Sequence, residues 1–173
     1  MDLPKNRPGK ARLVGLPPTK ESLGAVLHFL SLDKTFGSKP LAGVVSEIRL
    51  QLKNKWHLCA IRDNRLVGYC GWVFTTTEIA EKYIKGEPPP RTNVPSEPAD
   101  TPVLTIVCIP ERQLVLPMVR AMRKLGRGKR VFFRREYFDP TKPKRVNSVI
   151  NVPPAGNDPL AAQDSLTITI TPS

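Results

Sequence analysis

The fold of this chain is decided by residues 56–74, which read WHLCAIRDNRLVGYCGWVF. Two runs rich in aromatic and aliphatic residues, 56–61 and 66–74, lie on either side of Asp63 and Asn64. Asp and Asn tolerate turn conformations, so the pattern predicts a β-hairpin. We expect this hairpin to form the centre of the sheet.

The hairpin segment also contains two glycines and two tryptophans. Gly68 and Gly71 lie inside its second run, where glycine weakens a strand and indicates a bulge or a closely packed neighbour. Trp56 and Trp72, the two tryptophans of the chain, place much of its bulky apolar surface here.

The composition restricts the class of protein. The 173 residues are 40% apolar, enough for one domain with a core, and 19 of them are proline. The net charge of +12 indicates an acidic partner, although a solvated basic surface would have the same composition. Three cysteines without a C-x-x-C pair predict free thiols rather than disulfides or zinc. The N-terminus lacks a signal-peptide pattern and no apolar run could span a bilayer, which predicts a cytoplasmic protein.

Upstream of the hairpin, two helices are predicted by apolar spacing. Residues 1–18 alternate Pro, Gly and basic residues and predict an extended basic arm. Thr19 is expected to cap the first helix, 33–39 to form a loop, and a second helix to follow. The apolar residues of the two helices follow the period of an α-helix: Leu23, Val26, Leu27 and Leu30, then Leu41, Val44, Val45, Ile48 and Leu52.

Downstream, helices and strands alternate around proline-rich segments. A short helix is expected over 78–85 with Ile79 and Tyr83 facing inward, then a Pro-rich loop over 86–102. The apolar run 103–109 predicts a strand buried on both faces. A helix is predicted over 111–125 and is expected to begin or kink near Pro117. A strand over 130–138 and an edge strand over 146–152 follow. The last predicted element is a strand over 166–171 that could pair with a partner.

This order predicts an α/β or α+β fold in which a mixed β-sheet is flanked by helices. The expected organisation is an arm over 1–18, a domain over 19–152, and a linker with a possible strand over 153–173.

The hairpin segment 62–72, RDNRLVGYCGW, resembles the RTX toxin-activating acyltransferases, the haemolysin C-type family. In that family a turn with Arg-Asp leads into a strand with Tyr-Cys-x-Trp. The similarity extends over about residues 20–150 and includes Pro40, Pro110 and Phe133-Arg134 in the same order. It implies a fold like that of the GCN5-related N-acyltransferases (GNAT). It also implies transfer of a fatty acyl group from acyl carrier protein to a lysine of a protein acceptor.

The sequence departs from the family at the two catalytic positions. Alignment on Pro40 places Phe36 where the resemblance implies a general-base His, and alignment on Pro110 places Ile106 where it implies an Asp. An amine nucleophile must lose a proton before it attacks, and neither Phe nor Ile can accept one. Asp33 and His28 are the candidate substitutes.

Other candidate catalytic residues each have a structural alternative. His28 lies off the apolar stripe of its helix, so an exposed structural role competes with that of a displaced base. His57 is expected to be a hydrogen-bonded sheet histidine. Cys70 is a nucleophile or a buried packing thiol, and Tyr69 a proton donor or a packing residue. Residues 111–116 contain no glycine, so no coenzyme A site of the usual superfamily type is expected, and no cofactor is predicted.

A basic run is the clearest feature that the resemblance does not explain. It is a candidate partner-binding surface for an acidic carrier protein or for nucleic-acid phosphates, or it is a solvated face. Its residues are Arg120, Arg123, Lys124, Arg127, Lys129, Arg130, Arg134 and Arg135, continued by Lys142, Lys144 and Arg145.

Two functions follow. The first is a protein-lysine acyltransferase of the toxin-activating type with a replaced base. The second is a catalytically degenerate member of the fold, a basic binding or structural component of a larger assembly associated with nucleic acid or a virion.

Overall fold

The computed structural model describes residues 10–90, 99–134, 150–151 and 168–169. It confirms the expected class, a mixed sheet flanked by helices, which agrees at a coarse level with a GNAT-like α+β fold. The elements in chain order are β1 Arg12–Val14, α1 Lys20–Ser31, α2 Lys34–Gly37, α3 Leu41–Lys53, β2 His57–Arg62, β3 Arg65–Thr75, α4 Thr77–Ile84, β4 Thr101–Cys108, α5 Arg112–Leu125, β5 Arg130–Phe133, β6 Ile150–Asn151 and β7 Ile168–Thr169.

The predicted hairpin is confirmed as β2 and β3. Asp63 and Asn64 both have positive φ angles, 48° and 58°, which these two residue types tolerate better than most. A register shift beside Ala60 and Ile61 interrupts the pairing of β2 with β3, and a second shift beside Gly71 interrupts the pairing of β3 with β4. The glycine-containing run therefore has the predicted irregularities.

The sheet has the strand order β6-β5-β4-β3-β2-β1-β7. Neighbouring strands are antiparallel except for β4 and β5, which are parallel. A parallel pair needs a crossover connection, and α5 provides it.

Successive residues of a strand face opposite sides of the sheet, and the two sides have different cores. On one side, α1 and α3 pack on a cluster that contains Cys59, Tyr69 and Ile106. On the other side, α5 packs on a cluster that contains Leu58 and Cys70. We call these the α1/α3 face and the α5 face. A smaller cluster under α4 buries Val73, Ala80, Tyr83, Val103 and Phe132.

The ends of the chain differ from expectation. Residues 12–14, assigned by the sequence to an extended arm, form β1, because Ala11 and Leu13 are buried in the core. The sheet therefore begins before Thr19. Strand β7 pairs with β1 of its own sheet, so a partner chain is not needed to complete this strand.

The predicted loop over 33–39 contains the short helix α2, because the carboxylate of Asp33 caps it. Other helix boundaries agree closely, and the side chain of Thr19 caps α1 as predicted. Helix α5 runs through Pro117 without ending there.

Several predicted inward residues are exposed. Ile79 is 37% exposed, because α4 buries Ala80 in its place beside Tyr83, which faces inward as predicted. Val107 on β4 is 43% exposed, so that strand is not buried on both faces throughout. Helix α5 buries Leu114, Met118 and Ala121, which leaves Val115 41% and Leu125 37% exposed. Three predictions concern residues that lie outside the described ranges. They are the middle of the Pro-rich loop (91–98), the part of the strand from Arg135 to residue 138, and the basic residues within 142–145.

Candidate functional site

The two positions that the resemblance assigns to catalysis both belong to the hydrophobic packing of the α1/α3 face. Ile106, on β4, is 2% exposed and belongs to the cluster of the α1/α3 face. Phe36, on α2, packs against the same cluster, with the Lys39 ammonium 4.9 Å from its ring centre. Neither side chain can accept a proton, so this part of the face is apolar where a base would have to act.

Tyr69 lies in the same cluster and has a structural partner. Its hydroxyl donates to Oε1 of Gln51 at 2.8 Å. The amide Nε2 of Gln51 in turn donates to Glu47 at 3.2 Å and to the hydroxyl of Thr105 at 3.1 Å. Burial raises the pKa of Tyr69, and the nearby Cys59 adds to the effect. Tyr69 is therefore a poor proton donor held in a buried network.

This network depends on the irregular part of the sheet. Gly71 pairs with Ile106 and the next residue, Trp72, pairs with Leu104, so Thr105 is the extra residue of a bulge. A side-chain carbon at Gly71 would collide with the amide of Gln51. The absence of a side chain at Gly71 and the bulge at Thr105 thus make room for Gln51.

Asp33 is the candidate base that lies nearest to these positions. Its Oδ1 accepts hydrogen bonds from the backbone of Thr35 at 2.8 Å and of Phe36 at 3.2 Å. Its carboxylate is also within hydrogen-bonding reach of the Cys108 thiol, whose pKa is raised to about 12 by burial first and by Asp33 second. Asp33 borders an open depression of about 490 Å³ formed by residues 31–34, 37 and 38.

The other candidates are not brought to this place. His28 is exposed on α1. Cys70 faces the opposite side of the sheet from Tyr69, among the residues under α5, and burial raises its pKa to about 12. A thiol with that pKa is not an activated nucleophile at neutral pH.

His57 is a hydrogen-bonded sheet histidine, as predicted. The backbone N–H of Leu16 donates to its Nε2 at 2.8 Å, and its Nδ1 donates to the carbonyl of Gln51 at 3.1 Å. This arrangement requires the neutral ring. Burial lowers the pKa of His57 and so favours the neutral ring.

Of the seven residues of the basic run that the structure describes, six form two groups, and Lys129 lines the groove described below. Arg130 lies 3.7 Å from Glu81 and over the ring of Phe132, and Arg134 donates to the carbonyls of Tyr83 and Glu87 at 2.9 Å. Both therefore hold α4 to the end of the sheet. The other group is exposed on the outer side and at the end of α5: Arg120, Arg123, Lys124 and Arg127.

The structure also contains a groove that was not predicted from the sequence. It lies on the α5 face, has a volume of about 760 Å³ and is bounded by the segment 14–18 and the end of α5. Trp56, Trp72 and Phe74 line it together with Lys55 and Lys129, among other residues. Trp56 and Phe74 meet edge to face with ring centres 5.1 Å apart. The pair of tryptophans in the hairpin was the one sequence signal for this groove.

Comparisons with protein-family models and with curated proteins find no match for this chain. In the described part of the chain, no helix has the length and apolar character that crossing a bilayer requires. The same residues include no cluster of three His, Cys, Asp or Glu side chains arranged to hold a metal ion.

Proposed function

We propose that this protein has the fold of an acyltransferase but lacks the chemistry, and that it acts as a basic binding component of a larger assembly. The observation that carries the proposal is the apolar packing of Phe36 and Ile106 at the two positions where the resemblance implies a His and an Asp. The proposal keeps the resemblance to the toxin-activating acyltransferases and assigns the chain a different role.

Acyl transfer to lysine needs a base that can take a proton from the ammonium group. The polar groups around Phe36 already have internal partners. Asp33 caps α2, and Tyr69 and Gln51 are bonded to each other below the surface. Tyr69 would have to break its hydrogen bond to Gln51 before it could exchange a proton with a substrate. Asp33 caps α2 through Oδ1 and retains lone pairs on Oδ2, so it is the one candidate base left to test.

The binding role is supported by the exposed cations of α5. Arg120, Arg123, Lys124 and Arg127 are all exposed, and the chain carries a net charge of +12. Such a surface attracts acidic macromolecules and gives an association that weakens with salt.

The first experiment measures loss of label from radiolabelled acyl carrier protein and, in parallel, from labelled acyl-CoA. We expect no turnover of either donor by the folded protein. Turnover with a protein lysine as the acceptor would overturn the proposal.

The binding role is tested with polyglutamate at low salt. We expect replacement of the four exposed α5 cations by Gln to reduce binding strongly. The matched control removes four exposed cations from helices α1, α2 and α3: Lys20, Lys34, Arg49 and Lys53. Equal loss of binding by both variants would show that net charge, and not the α5 surface, attracts the partner.

One observation favours the alternative, a protein-lysine acyltransferase with Asp33 as the base. Asp33 borders an open depression and lies beside Phe36, the position of the implied base. The variant Asp33→Asn tests it, because Asn is also a good helix cap but is not a base. Donor turnover that Asp33→Asn abolishes and His28→Ala does not would establish this alternative.

A further inference from the structure

Both tryptophans of the chain lie in the groove on the α5 face. Trp56, just before β2, and Trp72, on β3, are neighbours, since the backbone N–H of Trp72 donates to the carbonyl of Trp56 at 3.0 Å. Each of them, like Phe74, is half-buried, so part of each ring remains accessible within the groove. The groove therefore offers several aromatic surfaces to a ligand.

The groove is also basic. Lys55 and Lys129 line it, and none of its lining residues in the described part of the chain is acidic. The ammonium of Lys129 donates to the carbonyl of Asp100 at 3.2 Å and lies 5.5 Å from the ring centre of Phe74. The exposed Arg127 lies between Gly126 and Lys129, two residues of the groove wall. Positive charge and aromatic surface thus meet at the end of α5.

This combination matches the chemistry of a single-stranded nucleic acid. Unpaired bases stack on aromatic rings while the backbone phosphates meet Lys and Arg side chains. A duplex does not present its base faces, and a plain acidic peptide has no flat groups for the rings. A fatty acid would use the apolar wall but needs a single cation for its carboxylate.

We infer that the groove binds single-stranded nucleic acid, with bases against Trp72 and its neighbouring rings and phosphates near Lys129 and Arg127. The inference rests on the proposed binding role and names its partner. The basic outer side of α5 would then continue the path of the phosphates beyond the groove.

The chain provides its own reporter, because both of its tryptophans lie in the groove. Tryptophan emission of the full chain is titrated at low salt with a mixed-sequence single-stranded RNA 12-mer. A duplex of the same sequence, polyglutamate and palmitate are titrated in parallel. We expect saturable quenching by the single strand and a clear preference for it over the duplex.

Two kinds of variant locate the binding. Trp72→Ala is expected to weaken binding of the single strand about tenfold, and Trp72→Phe much less, since phenylalanine retains a stacking surface. Lys129→Gln and Arg127→Gln are each expected to reduce the slope of log affinity against log salt by about 0.7. Arg49→Gln, on the exposed side of α3, is the charge-matched control and should leave binding unchanged. Thermal melting checks that each variant is folded.

Three results would overturn the inference. The first is no quenching by the single strand at low salt, and the second is quenching by palmitate alone. The third is equal affinity for duplex and single strand in the native chain together with the same affinities in Trp72→Ala. Failure of the broader proposal is recognised separately. Acyl-donor turnover would overturn the binding role whatever the RNA titration shows. Binding of polyglutamate through α5 without binding of RNA would overturn this inference alone.

Discussion

The two faces of the sheet use neighbouring residues of β3 in opposite ways. On the α1/α3 face, Tyr69 is sealed under two helices and bonded to Gln51. On the α5 face, Trp72 lies in an open groove beside cations. Tyr69 and Trp72 are only three positions apart on β3, yet one belongs to a closed polar network and the other to an accessible aromatic surface. The positions at which the resemblance implies a catalytic His and Asp, and the groove proposed to bind a partner, therefore lie on different sides of the same sheet.

The comparison has a physical basis in helix coverage. Helices α1 and α3 together cover the sheet above Tyr69. On the other face α5 is the packed helix among the described residues, and the start of β2 and the end of β3 border the open groove.

The largest effect is expected from Gly71→Ala, which would push a methyl group into the buried amide of Gln51. Overpacking of this kind costs about 1–3 kcal/mol, and we expect the upper part of that range because the network of Gln51 is disturbed as well. Urea unfolding measures the free energy. Gly43→Ala, in α3 with nothing near its added carbon, is the control and should stabilise the protein slightly. A well-tolerated Gly71→Ala would show that Gln51 can move.

The next largest loss of stability is expected from Tyr69→Phe. It removes the donor to Gln51 Oε1 and leaves a buried acceptor with one bond fewer, at a cost of about 1–2 kcal/mol. Trp72→Phe, on the groove face, changes an accessible ring and should change the free energy of unfolding less. If both variants lose the same stability, the contrast between a sealed and an open face is wrong.

A pH effect of about 1 kcal/mol is expected from His57, whose pKa is lowered by burial. The unfolded histidine titrates near its ordinary pKa of about 6.5, while the folded one stays neutral to lower pH. Stability is therefore full above that pH and falls below it, by at most about 1.4 kcal/mol for each pH unit. Unfolding free energies between pH 7.5 and 5.5 should show this fall in the native chain and not in His57→Gln.

His28→Gln is the matched control, because it removes the other, exposed histidine. It should retain the full pH dependence. Loss of that dependence in His28→Gln would contradict the assignment of the pH effect to His57.

The smallest effect per substitution is expected from the variant with all four exposed α5 cations changed to Gln. These side chains are exposed, so the free energy of unfolding should change by less than about 0.5 kcal/mol per site. The same variant is expected to lose polyglutamate binding, so stability and function separate on this surface. A large loss of stability would mean that these residues hold the fold together.

Local sequence patterns predicted the hairpin and most helices correctly. Asp63-Asn64 specified the turn, and the apolar spacing of Val26, Leu30 and Ile48 located α1 and α3. These signals are local, since a turn or an amphipathic helix depends on residues close in the chain.

The errors came from features that depend on distant contacts. The short strand β1 has too few residues to show a period, and its burial comes from pairing with β2 and β7. The groove joins Pro17, Trp72 and Lys129, which no sequence spacing relates. The role of Arg134 likewise depends on the carbonyl of Tyr83, 51 positions away.

The pairing of β7 with β1 has a consequence for synthesis of the protein. Among the strands that the structure describes, β1 is translated first and its partner β7 last. Until β7 has been made, the nascent chain would expose that edge of β1 to other strands, so incompletely synthesised copies are the ones most prone to strand exchange or aggregation. A truncation before β7 would leave this edge of β1 unpaired permanently.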